Sequence, residues 1–164
     1  MKNDRFAERS STANVPPTLR RCDDSVVLLL DDDEVFQIAL SELLQDDGHR
    51  VYAFGSVAEL PELAALPAVA VAIIDYQLGD SEDGLSFARR LHAERPNVPI
   101  IMATAQTSTH LEQSVAAMPY VSLLHKPVRY EALHRLLHER IGLHHAGVHG
   151  QPAPAGTGNS HKLH

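Results

Sequence analysis

Val69-Ala70-Val71-Ala72-Ile73-Ile74-Asp75 is an unbroken apolar run that ends on a carboxylate. A strand with one wet face alternates apolar and polar residues; a continuous aliphatic run fits a strand buried on both faces. Such strands belong to parallel sheets covered by helices on both sides. Asp75 then stands at the carboxyl end of a central strand, which is where sheets of this kind hold their ligands.

Working outward, the same grammar repeats. Val26 to Leu30 is a second aliphatic run, leading into Asp31, Asp32 and Asp33 and then into Phe36, Leu40, Leu43 and Leu44 at helical spacing. Arg50 to Phe54 reads as a strand, and Ser56 with Glu59 has the spacing of a capping box opening a second helix, which Pro61 must delay or kink. Leu85, Ala88, Leu91 and His92 mark a third helix, and Val98 to Ala103 a fourth strand. Thr109 with Glu112 is read as the cap of a fourth helix, Tyr120 to Leu124 as the fifth strand. A last helix follows Pro127, with Tyr130, Leu133, Leu137 and Ile141 on one face. Five βα units joined by short, right-handed connections predict a doubly wound α/β fold with a parallel sheet.

The chain has 164 residues, enough for one domain of ordinary size. Residues 1–24 are polar and aperiodic and are expected to be a flexible leader; the composition shifts again after Leu143, to a His/Gly/Pro-rich stretch expected to be a disordered tail. The domain is therefore placed at residues 25–143. No apolar run is long enough to span a bilayer and the first residues lack the apolar core of a signal peptide, so the expected location is the cytoplasm, without membrane insertion. Cys22 is the single cysteine, which rules out an intramolecular disulfide or a thiolate cluster. A net charge of −7, with only 14 Lys and Arg spread along the chain, argues against a nucleic-acid surface.

Polar residues gather at the predicted strand ends: Asp31, Asp32 and Asp33 after the first, Asp75 on the third, Thr104 on the fourth, Lys126-Pro127 after the fifth. Each has an ordinary explanation when taken alone. Acidic residues stabilise a helix N-terminus, an Asp caps turns, Thr favours strands, and X-Pro is an extended dipeptide. Converging carboxylates, however, repel one another unless a cation joins them. An all-oxygen, partly open site suits Mg²⁺, and a lysine and a hydroxyl aimed at the same place suit the oxygens of a phosphoryl group. Asp33 is read as a helix N-terminal charge.

Taken together, VVLLLDDD (26–33), VAIIDYQLGDSEDG (71–84), PIIMATA (99–105) and Lys126-Pro127 resemble the four signature regions of response regulator receiver domains, in order and properly spaced. The resemblance covers residues 25–142, and the wording around Asp75 and Lys126 is most similar to receivers associated with hybrid histidine kinases. It implies a flavodoxin-like (βα)5 fold with strand order 2-1-3-4-5. It implies that Asp75 is the phosphoacceptor and that Asp32, Asp75 and the backbone carbonyl of Gln77 bind Mg²⁺, with Asp31 acting through water. Thr104 and Lys126 would hold phosphate oxygens, and the small Ala105 would keep the approach open. The implied donor is a phosphohistidine on a histidine kinase or histidine phosphotransfer protein. The chain would then receive phosphoryl groups and signal through protein contacts, as a stand-alone unit that is not an enzyme beyond its own phosphorylation and slow autodephosphorylation. Gly79, where many relatives have proline, and Leu123, where many have an aromatic switch residue, depart from the pattern.

Other functions compete with this one. A Mg²⁺-dependent phosphatase with an Asp nucleophile needs a second acid two residues later, where this chain has Gln77. A receiver-like module that docks without phosphorylation, or a receiver piece of a hybrid histidine kinase system, would share every motif. Separately, His134, His138, His145 and His149 fall at spacings compatible with one helical face and with Zn²⁺ or Ni²⁺ binding, although Gly142 and Gly147 interrupt the series. A mobile His-rich tail more often binds metal adventitiously.

Overall fold

A computed structural model of the chain describes residues 25–79 and 82–148. Its elements are β1 (Val26–Leu30), α1 (Glu34–Asp46), β2 (Arg50–Phe54), β3 (Val69–Asp75), α2 (Gly84–Glu94), β4 (Ile100–Thr104), α3 (Thr109–Ala116), β5 (Val121–His125) and α4 (Tyr130–Val148). The strands form one parallel sheet in the order β2-β1-β3-β4-β5, the doubly wound, flavodoxin-like arrangement expected from the alternating pattern and the resemblance. The order reverses between β1 and β3, so Asp31 and Asp75 flank the switch point.

Every residue of β1, β3 and β4 is buried, as their unbroken apolar runs require. Successive side chains point to opposite faces and feed two cores. Leu28, Leu30, Ala72, Ile74, Ile100 and Met102 pack with Phe87 and Leu91 of α2 and Leu111 of α3. Val27, Leu29, Val71, Ile73 and Ile101 pack with Leu40 and Leu44 of α1 and Leu133, Leu137 and Ile141 of α4.

The helix expected from Ser56 and Glu59 does not form. Two short 3-10 turns, Val57–Glu59 and Leu63–Ala65, take its place. Each stops at a residue held extended by the proline that follows: Leu60 before Pro61 has ψ 136° and Leu66 before Pro67 has ψ 146°. Ser56 does not cap; its hydroxyl donates to Glu59 Oε1 at 3.2 Å, while the Gly55 N–H donates to Glu59 Oε2 at 3.0 Å. The carbonyls that a helix would have satisfied are gathered by Arg95, whose guanidinium donates to Leu63 O, to Leu66 O at 2.8 Å and to Pro67 O at 2.7 Å.

The fourth strand begins at Ile100 rather than Val98, because the Val98 N–H turns back to Arg95 O and Pro99 has no N–H. The helix expected to be capped by Thr109 has Ser108 in the cap position, and Thr109 is its first residue. The last helix runs to Val148, past the expected start of the tail at residue 144, and Cys22, the leader and residues 149–164 lie outside the described residues. Among the described residues no helix is long and apolar enough to cross a membrane.

Candidate functional site

The carboxyl edge of the sheet carries an open cleft lined by Asp32, Asp33, Asp75, Gln77, Leu78, Gly79, Ala105 and Lys126, with Glu82 and Asp83 on its rim. Two strand ends supply its acids. The chain leaves β1 at Asp31, which is 1% exposed and whose Oδ1 accepts from the Asp33 N–H at 3.0 Å. Asp33 closes the turn as the N-cap of α1, accepting from the Val35 and Phe36 N–H groups at 3.0 and 3.1 Å. Asp32 stays exposed. Asp75, only 6% exposed, ends β3, and its Oδ1 accepts from the Gln77 N–H at 3.1 Å. Carboxylate oxygens of Asp31, Asp32 and Asp75 all lie within 4.8 Å of one another.

Lys126 joins the buried pair. Its Nζ donates to Asp31 Oδ2 at 2.9 Å and to Asp75 Oδ2 at 2.7 Å, and it lies 4.7 Å from the centre of the Phe36 ring. Its backbone N–H is tied to Thr104 O at 2.7 Å, so β4 fixes where the lysine starts its reach. The Lys126–Pro127 peptide is cis. Burial raises the Asp31 pKa above its usual value and the charge of Asp75 adds to this, with the Lys126 ammonium and the Asp33 N–H in opposition. Burial alone would lower the Lys126 pKa, but its hydrogen bonds to Asp31 and Asp75 outweigh that and raise it.

Thr104 stands apart from the other expected residues. It is fully buried at the end of β4, and its Oγ1 accepts from the Gln106 N–H at 3.0 Å. Ala105 rather than Thr104 lines the cleft, so the hydroxyl in this structure shapes the loop after β4. Gly79 has φ +41°, a value closed to the proline ring. Leu123 is half-buried against the core on the α2 and α3 side.

Several contributors escape a reading of the sequence. Phe36 looks like a core residue of α1, yet its ring also faces the lysine. Gln37 donates from Nε2 to Asp31 O at 2.8 Å, pinning the acidic turn from one helical turn away. Gly84 opens α2 so close to β3 that a Cβ there would lie 2.0 Å from Asp75 O. The Asp-Gly pair at 83–84 was the available signal: a helix cap followed by a residue without a side chain.

The arrangement can hold a hard cation. Three carboxylate oxygens gathered within 4.8 Å of one another are the donor set that such a cation prefers. Asp32 faces solvent, leaving room for water in the shell of a bound ion.

A model of the response regulator receiver domain matches residues 27–138. The chain belongs to this family. Sensor protein TorS of Escherichia coli (strain K12) is 30% identical to the receiver over 137 residues, covering 81% of this chain but only 15% of that protein. A CheY-like receiver domain protein from Methanospirillum hungatei JF-1 superposes with a TM-score of 0.68 at 22% identity, over 75% of this receiver and 98% of that chain. A response regulator receiver protein from Sinorhizobium medicae WSM419 gives 0.66 at 24% identity, over 74% and 97%. At these identities the structures speak for the fold, and the family match places the receiver in two-component signalling.

Proposed function

We propose that Asp75 accepts a phosphoryl group from a phosphohistidine on a histidine kinase or histidine phosphotransfer protein, in a Mg²⁺-dependent reaction, and that the product signals through protein contacts. One observation carries this reading: the Asp75 carboxylate stands at the centre of an open acidic cleft with a lysine ammonium 2.7 Å away. A carboxylate oxygen attacks phosphorus in line, the new O–P bond forms as the donor's N–P bond breaks, and the electron pair stays on the imidazole nitrogen. Lys126 then has a phosphoryl oxygen to hold in place of a bare carboxylate. Asp31, Asp32 and Asp75, with the Gln77 carbonyl, are the groups to hold Mg²⁺, which when bound neutralises charge on the transferring oxygens. Small Ala105 leaves the approach clear. The similarity to a sensor protein favours a relay in which such a protein stands upstream.

Incubation with a ³²P-labelled phosphotransfer protein tests this. Label should move to the chain with Mg²⁺ present, fail to move with chelator, and fail to move to Asp75→Asn. Label on Asp75→Asn equal to the parent's would overturn the assignment, and a parent that binds the donor without taking label would instead indicate docking without phosphorylation.

A further inference from the structure

The histidine series set apart by its spacing gathers no three-ligand metal group among the described residues: His134 and His138 share an ordinary hydrogen bond, 3.0 Å between ring nitrogens, and the His145 side chain and His149 lie outside the described residues. Beside the cleft, one side chain has no part in the phosphotransfer reading and yet meets its machinery. The Lys126 ammonium sits over the Phe36 ring, 4.7 Å from its centre, while Asp31 and Asp75 engage two of its three N–H groups. We propose that Phe36 is a positioning residue for phosphotransfer, its ring face holding the Lys126 ammonium in the cleft while Asp31 and Asp75 loosen their hold on it. The proposal rests on Asp75 being the phosphoacceptor.

The ring is fixed by the same turn that carries the acids. Asp33 caps α1 by accepting from the Phe36 N–H itself at 3.1 Å, and Gln37 donates to Asp31 O at 2.8 Å, so a shift of Phe36 disturbs the acidic turn. From its other side Phe36 packs against the core shared by the sheet, α1 and α4. An ammonium held by two carboxylates has its charge matched without a ring. The need arises once the chemistry begins. When the O–P bond to Asp75 has formed, that side chain is an acyl phosphate rather than a carboxylate, and the acids that bind a cation have less charge to offer the lysine. Both of the lysine's ion pairs therefore weaken at the step in which it must hold a phosphoryl oxygen. The negative face of the ring is a fixed quadrupole that no reaction in the cleft alters, and with the Lys126 side chain only 18% exposed, water competes with it weakly. An aliphatic side chain at residue 36 would fill the same space and bring the ammonium only lost hydration.

Fluorinated phenylalanines placed at residue 36 of the full chain test this, because each added fluorine weakens the negative face of the ring while leaving its size and place nearly unchanged. With Mg²⁺ and saturating acetyl phosphate, Asp75 takes the phosphoryl group as acetate leaves. The rate of that step should fall progressively through mono-, di- and trifluorinated rings, to about fivefold below the parent, and Phe36→Leu should fall by about fivefold as well. Thermal unfolding of each protein confirms that it folds. The ring contact also has a signature independent of rate. The Lys126 methylene protons next to the nitrogen should resonate upfield of an ordinary lysine, shifted by the ring current, and should stay there with beryllofluoride and Mg²⁺ bound. Rates that are flat across the fluorinated series, a Phe36→Leu rate equal to the parent's, or an upfield shift lost when beryllofluoride binds would each overturn the proposal while leaving Asp75 as the acceptor. A parent that takes no phosphoryl group overturns the acceptor reading and this proposal together.

Discussion

Lys126 reaches past the end of β4 to place its ammonium 2.7 Å from Asp75 Oδ2, and the same nitrogen holds Asp31 at 2.9 Å. Two carboxylates that are 1% and 8% exposed at their side chains thus share one cation. Removing that cation leaves two buried like charges. Lys126→Met should lower stability at neutral pH by about 3 kcal/mol in metal-free buffer. Mg²⁺ should restore part of the loss, because it supplies positive charge to the same acids. Urea unfolding with and without Mg²⁺ reads both effects, and a variant as stable as its parent without metal would show that the pair has little net value.

The contact between Gly84 and the Asp75 backbone gives the second prediction. A methyl group at residue 84 would sit 2.0 Å from Asp75 O, and a backbone oxygen cannot rotate away. Gly84→Ala must therefore push α2 from β3, costing about 2 kcal/mol and slowing phosphorylation of Asp75. Thermal unfolding and labelling rates measured together check this. An unchanged rate in a destabilised variant would separate the packing from the site.

His49 predicts a pH dependence remote from the cleft. Its pKa lies below the ordinary imidazole value of 6.5, chiefly through burial. As pH falls through 6.5 the unfolded chain takes up the proton first, so stability present above 6.5 is lost down to the folded pKa. His49→Phe, with nothing to titrate there, should lose less stability than the parent over that window. Denaturant midpoints from pH 7.5 down to 5 in chelator, read as the difference between the two proteins, test it. Parallel curves would contradict the buried-imidazole account.

Thr104 Oγ1 accepts from the Gln106 N–H at 3.0 Å, which ties the loop after β4 to a hydroxyl whose own proton remains to donate to a phosphoryl oxygen. Thr104→Ala should still accept phosphate on Asp75 while losing most of the hydrogen-exchange response over residues 105–118 to a beryllofluoride mimic. An intact response would place the coupling elsewhere, with the neighbourhood of half-buried Leu123 the next to examine.

The fold was legible because its strands are buried on both faces. Val26–Leu30 and Val69–Ile74 carry no polar residue before the carboxylates of Asp31 and Asp75, and runs this short, apolar and rich in β-branched residues fit buried strands. Asp31, Asp32, Asp75 and Lys126 were legible for a related reason, as polar residues placed where apolar runs stop. Spacing did not convey what tertiary contacts decide. Ser56 and Glu59 have the letters of a helix start, but Pro61 and Pro67 cut that segment into two turns whose carbonyls Arg95 collects from a distant helix end. Phe36 beneath Lys126 and Gly84 against Asp75 depend on how helices meet strands, which no single window of sequence contains.

If Asp75 is the one nucleophile of the cleft, intact mass after incubation with acetyl phosphate and Mg²⁺ should show a single added phosphoryl group on the parent, none with chelator in place of Mg²⁺, and none on Asp75→Asn under either condition. A phosphoryl adduct on Asp75→Asn matching the parent's, or a folded parent that takes none at saturating Mg²⁺, would contradict it.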